Sequence, residues 1–344
     1  MDGARKTVVV TGASGFVARH IVKDLLERGY RVRGSLRRPA GARDLRDAIR
    51  PHLTDPTAAD TLLDFVKLDL TEDAGWSDAM TGAHALIHTA SPFPLAQPDN
   101  RDDLILPAVE GTERALRAAS AAGVRRVVLT SSVAAVVSAD PLDREAPRTE
   151  RDWTDPDHPA TTAYAASKTL AERAAWSFAA RNPVMRLTTV NPGLVLGVPL
   201  GGSYGSSVAL IERVMKGRDP AVPRLMLDVV DVADAARMHV AAMESDRAAG
   251  QRLICTAGAL WMSEATQILK AAYPRRRIPT RTAPRVLMQV LAKFDPAIRS
   301  ILPMLGQRVQ CDAGLAREVL SFTFTPPEDT ILATARYLVD QGKV

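Results

Sequence analysis

The chain has 344 residues, 46% of them apolar and 24% charged, with a formal net charge of +5. That length exceeds one ordinary core, so one large domain or two packed lobes is expected. Its two cysteines, Cys255 and Cys311, are too few for a disulfide framework or a cysteine-based metal site and suit a reducing compartment, so a cytoplasmic location is expected.

Further classes fall away on pattern. Only 8 of the 44 basic residues are Lys, and the Arg clusters, such as Arg37-Arg38 and Arg275-Arg276-Arg277, are short and lack interleaved aromatics, so no nucleic-acid partner is expected. The N-terminus enters an apolar strand directly, and no later run reaches the roughly 18 apolar residues of a span, so neither a signal peptide nor a membrane partner is expected. The six histidines are too dispersed to suggest a metal.

In chain order, strands are predicted at Thr7 to Val10, Arg31 to Leu36, Phe65 to Leu68, Ala85 to Thr89, Arg126 to Thr130 and Arg186 to Val190. Between them, Val17 to Glu27, Leu104 to Ala122 and Ala165 to Ala180 carry apolar residues at helical spacing. Near-continuously apolar strands separated by helices predict an α/β fold with a doubly wound parallel Rossmann sheet, its faces covered by helices. This dinucleotide-binding domain is expected over residues 1–196, with a return as strand then helix near 225–243. Residues 197–344, rich in Pro and Gly at first and then helical at Thr266 to Ala272 and Arg285 to Phe294, are expected to form a smaller, mostly helical substrate lobe.

Immediately after the first strand stands Thr11-Gly12-Ala13-Ser14-Gly15-Phe16-Val17. A glycine turn opening a helix brings backbone N–H groups and the positive end of the helix dipole against a pyrophosphate. After the second strand, Arg37 and Arg38 replace the acidic residue that would bind a ribose 2′-hydroxyl; an arginine there pairs with a 2′-phosphate, so NADP (NADPH) is the expected cofactor. Asp69 and Leu70, after the third strand, are placed to flank the adenine.

Tyr164 and Lys168 are four apart on one helix face. A phenol with a pKa near 10 is a poor acid–base at neutral pH, and a nearby ammonium is expected to lower it. Tyr164 would then pass a proton to a carbonyl oxygen as hydride reaches the carbon. Ser132, at the end of the fifth strand, is the expected second donor to that oxygen.

Together these residues resemble the extended branch of the short-chain dehydrogenase/reductase superfamily over nearly the whole chain. The pieces stand in order: the Gly12 turn, Asp69-Leu70, Thr89-Ala90-Ser91, Thr130-Ser131-Ser132, Tyr164 with Lys168, Asn191 to Gly197, and Asp231-Val232-Ala233-Asp234. Within that branch Arg37, Thr130-Ser131-Ser132 and Glu150 to Thr154 are most similar to dihydroflavonol reductase-like enzymes, including ketone and aldehyde reductases. The resemblance implies NADPH-linked carbonyl reduction with Ser132, Tyr164 and Lys168 as the triad and cofactor contacts at Thr89, Ala90, Ser91, Pro192, Gly193, Leu194 and Val195. A small-molecule carbonyl substrate is the expected partner, and the chain is expected to be a monomer or homodimer. A nucleotide-sugar epimerase or dehydratase is the alternative. Val137 stands where plant dihydroflavonol reductases carry Asn or Asp, and the residues around Tyr164 lack the aromatic and cysteine-containing sequence of cinnamoyl-CoA reductases, which argues against both substrates. The substrate wall is expected to include Ser91, Phe93, Val137 and Tyr204, an apolar lining suited to an uncharged or aromatic carbonyl compound.

Overall fold

The computed structural model describes residues 5–92, 100–137, 146–202 and 204–344. The first half alternates strand and helix: β1 (Thr7–Thr11), α1 (Phe16–Glu27), β2 (Arg31–Leu36), α2 (Gly41–Ile49), α3 (Ala58–Thr61), β3 (Leu63–Lys67), α4 (Trp76–Met80), β4 (Ala85–His88), α5 (Asp102–Ala121), β5 (Arg126–Thr130), α6 (Ala163–Arg181) and β6 (Arg186–Pro192). The strands are parallel, and Val8, Val9 and Val10 of β1 have no exposed surface, as expected of a sheet covered on both faces.

The sheet runs β3-β2-β1-β4-β5-β6-β9. Its order reverses between β1 and β4, which opens a crevice at the carboxyl ends of the strands, where such sheets bind ligands.

After β6 come β7 (Leu194–Leu196), α7 (Ser206–Met215), β8 (Met226–Asp231), α8 (Val232–Glu244), β9 (Arg252–Cys255), β10 (Gly258–Trp261) and α9 (Met262–Ala272). The chain ends with α10 (Arg285–Leu291), α11 (Pro296–Ile301), α12 (Gly314–Leu320) and α13 (Pro327–Asp340). The predicted strand and helix near 225–243 are β8 and α8. Only α8 joins the large layer, packing beside α1, whereas β8 lies in a separate three-stranded sheet, order β10-β8-β7. The strand that completes the large sheet is β9, paired parallel to β6 from Thr189↔Arg252 to Pro192↔Cys255, and sequence patterning does not mark it. Helices α7, α9 and α13 pack around the small sheet on Val208, Ile211, Leu269, Ile331 and Leu338.

Candidate active site

The turn after β1 is shaped by backbone constraints. Gly12 has φ +63°, and a Cβ there would stand 3.0 Å from Ala90 Cα. Gly12 N donates to Ser35 Oγ at 2.9 Å, Ala13 N to Ser35 O at 3.0 Å, and Gly15 N to Gly12 O at 2.9 Å. Thr11 Oγ1 receives the amides of Thr89 and Ala90, each at 3.1 Å, which holds the end of β4 against the turn.

Ser132 stands where β5 ends, and its Oγ accepts Ala134 N at 3.1 Å, capping a short 3₁₀ turn at Val133–Ala135. Tyr164 is in the first turn of α6, whose start is fixed by Thr162 Oγ1 accepting Ala165 N at 3.1 Å. The side chains of Tyr164 and Ser132 are hydrogen-bonded. One turn on, the buried Lys168 donates from Nζ to Thr130 O at 3.3 Å. Thr130 is itself fixed, because its Oγ1 lies 2.8 Å from His239 Nε2. His239 Nδ1 faces the carbonyl of Ala235 at 2.7 Å, so that nitrogen carries the hydrogen and Nε2 accepts from Thr130. Burial pushes His239 down to about 4, which keeps the ring neutral.

Burial raises the Tyr164 phenol above its ordinary pKa, and the hydrogen bond to Ser132 offsets part of that rise. This direction is opposite to the lowering expected from a neighbouring lysine. The physical reason is that desolvation dominates while the ammonium is directed at the Thr130 carbonyl. Lys168 is pushed down to about 8 by burial, against the upward pull of Glu172.

A cavity of about 760 Å³ connects the two ends of this constellation. That size is ample for a cofactor with a small substrate. Gly12, Ser14, Gly15, Phe16 and Val17 line one end, with Thr89 between, and Ser132 and Tyr164 the other. Gly193, Leu194 and Val195 form a further wall, where a Cβ on Gly193 would meet Asp228 O at 2.2 Å. Val137 and Tyr204 also line it. Tyr204 donates its hydroxyl to Glu212 at 2.7 Å, and burial, reinforced by that bond, raises it to about 12.

Other predicted residues lie outside this wall. Lys168 is buried, its ammonium on the Thr130 carbonyl, and Pro192 is buried in β6. Ala90 and Ser91 are half-buried beside the glycine turn. Arg37 and Arg38 are exposed at the end of β2. Asp69 accepts Thr71 N at 2.9 Å, and the Thr71 bonds, aided by the charge of Arg37, hold its carboxyl below the usual range. Leu70 packs against α5 at Gly111. Phe93 lies outside the described residues.

A buried cluster under the site escaped the sequence reading. Glu172, one turn after Lys168, receives Arg252 Nε at 2.7 Å, Ser131 Oγ at 2.6 Å, Thr189 Oγ1 at 2.9 Å and Asn191 Nδ2 at 2.8 Å. Asn191 Nδ2 also donates to Ser132 O at 3.1 Å, which ties the cluster to the site. Arg252 stacks on Trp153, 3.6 Å from the ring centre. The available signal was spacing: Glu172 repeats the four-residue step from Tyr164 to Lys168 on the same helix face. A second group missed is Asp228, which lines the cavity from β8, accepts Cys311 N at 3.0 Å, and is raised to about 6 by burial.

Comparison with known proteins gives the family of the chain. A model described as the NAD dependent epimerase/dehydratase family matches residues 8–255. Among curated relatives, cinnamoyl-CoA reductase 2 of Medicago truncatula is 36% identical over 344 residues, covering 99% of this chain and 94% of the relative. Tetraketide alpha-pyrone reductase 1 of Arabidopsis thaliana is 35% identical, with 82% and 85% covered. Among solved structures, the yeast methylglyoxal/isovaleraldehyde reductase Gre2, complexed with NADPH, superposes with a TM-score of 0.81 at 28% identity, covering 98% of this chain and 100% of that one. Vestitone reductase from alfalfa (Medicago sativa L.) gives 0.75 at 26% identity, with 99% and 100% covered.

Proposed function

The chain belongs to the NAD dependent epimerase/dehydratase family, and we propose that it is an NADPH-dependent oxidoreductase that reduces a ketone or aldehyde to an alcohol. One observation carries this reading above the rest: the hydrogen-bonded hydroxyls of Ser132 and Tyr164 open into the same cavity as the Gly12–Val17 turn.

The residues fit a dinucleotide. The turn and the start of α1 suit a pyrophosphate. Arg37, exposed beside Asp69, suits a 2′-phosphate. Gly193 to Val195 suit the nicotinamide half, and Thr89 the adenosine half. NADPH, when bound, supplies the hydride.

The remaining chemistry falls to the chain. Ser132 donates to the substrate carbonyl oxygen and fixes its place, and Tyr164 delivers its proton to that oxygen. The raised pKa of Tyr164 serves this direction of reaction, because a donor must be protonated before it acts. Lys168, largely cationic at neutral pH, stabilises the phenolate left behind. Val133, Ala134, Val137 and Leu227 give the substrate end an apolar wall that favours an uncharged or aromatic carbonyl compound.

The test is an NADPH-oxidation screen over ketones, aldehydes, diketones, cyclic substrates and coenzyme A thioesters. NADPH-dependent alcohol formation from a ketone or aldehyde is expected. Sugar isomerisation without consumption of NADPH would overturn the reading in favour of an epimerase.

A further inference from the structure

The excess positive charge of the protein is confined to one stretch. Residues 275–308 contain eight basic residues and one acidic residue, Asp295, for a net charge of +7. The other 310 residues carry 36 basic and 38 acidic side chains, a net of −2. The NADPH reading uses none of these eight, including the Arg275-Arg276-Arg277 run.

The same stretch carries most of the exposed apolar surface. Among the described residues, nine large apolar side chains are exposed, and six lie between Val286 and Met304. Helix α10 buries Met288 in a small cluster with Ala283 and Leu305, and Ala292 is buried just past its end. Val286, Leu287, Val290 and Leu291 face outward, followed by Phe294 at 83% exposure. Arg285 opens the helix and Lys293 follows it, both exposed. Arg299 donates to the carbonyls of Ala292 at 3.0 Å and Lys293 at 3.4 Å, which fixes a third cation at this end.

Large outward apolar side chains flanked by cations are the pattern of a helix that lies in a membrane interface, its apolar face in the acyl boundary and its cations among anionic headgroups. We propose that the α10 face docks this protein on an anionic phospholipid bilayer surface. This revises the expectation of no membrane partner without invoking a span, since no described helix is long and apolar enough to cross one. Charge argues against a second copy as the occupant, because a symmetric interface would set one +7 stretch against another. Met304, from the same stretch, is exposed and also lines the cavity.

The experiment is co-sedimentation of the full chain with vesicles of phosphatidylcholine, alone or with about 30% phosphatidylglycerol, alongside size-exclusion chromatography without lipid. The expected result is at least about tenfold stronger partitioning onto the anionic vesicles, lost as salt rises from about 0.1 M to about 0.5 M. Val290→Ser with Phe294→Ser, both at exposed sites, should abolish binding while leaving NADPH affinity and the circular dichroism spectrum unchanged. Arg285→Ser with Lys293→Ser should weaken binding and flatten its salt dependence. Absence of binding to anionic vesicles, or equal binding by the Val290/Phe294 variant, would overturn the proposal. So would a dimer that dissociates in that variant while vesicles bind neither form, since a second copy would then be the occupant.

Discussion

The carboxylate of Glu172 lies one helical turn below Lys168 and receives the guanidinium of Arg252 at 2.7 Å. Glu172 thus raises the pKa of Lys168 from inside the fold while Asn191 joins the same carboxylate to the backbone of Ser132.

This relationship makes the pH profile a direct probe. Burial depresses Lys168 to about 8, so its ammonium is lost as pH rises through that value. The kcat/KM for reduction, which reports groups of the free enzyme, is expected to decline on an alkaline limb near pH 8. Glu172→Gln removes the charge that supports the ammonium and should move the limb to lower pH. An unmoved limb in a folded variant would show that Glu172 does not govern Lys168.

The same pair carries a stability prediction. Arg252 is 9% exposed and Glu172 1%, so removing the cation strands a buried carboxylate. Arg252→Met is expected to lower unfolding free energy by about 3–5 kcal/mol in urea titrations. A loss below about 1 kcal/mol, the range of exposed pairs, would contradict it.

Asp228 should act in the opposite sense. Its pKa is raised to about 6, so the fold favours its protonated form. That stabilisation is complete below the ordinary carboxylate pKa of about 4 and is lost as pH rises through about 6. Asp228→Asn keeps an oxygen for the Cys311 amide and removes the buried charge. The variant should be more stable by about 1–3 kcal/mol at about pH 7.5 and no more stable at about pH 4. Equal stabilisation at both pH values would contradict the assignment.

Cofactor choice rests on Arg37. Arg37→Ala should weaken NADPH binding by about tenfold or more while leaving NADH nearly unchanged, as fluorescence titration would read. Equal weakening of both would mean that the arginine meets no 2′-phosphate.

Much of this architecture is legible in local sequence because its determinants are local. The turn at Gly12 needs its own residues and the following helix, and Tyr164 and Lys168 need only a helical step. What escapes is assembled from a distance. Strand β9 has four residues, too few for a pattern, and owes its place to pairing with β6. Ser131, Thr189, Asn191 and Arg252 meet around Glu172 from three strand regions. The sign of the Tyr164 shift escapes too, because spacing brings the ammonium near while the desolvation that outweighs it depends on the closed fold.

The most direct test of the central claim is to measure Tyr164→Phe for NADPH affinity and for the rate of substrate reduction together. The expected result is a dissociation constant close to that of the parent and a turnover reduced by about 100-fold or more. Turnover near the parent value, with NADPH still bound, would contradict proton delivery by Tyr164.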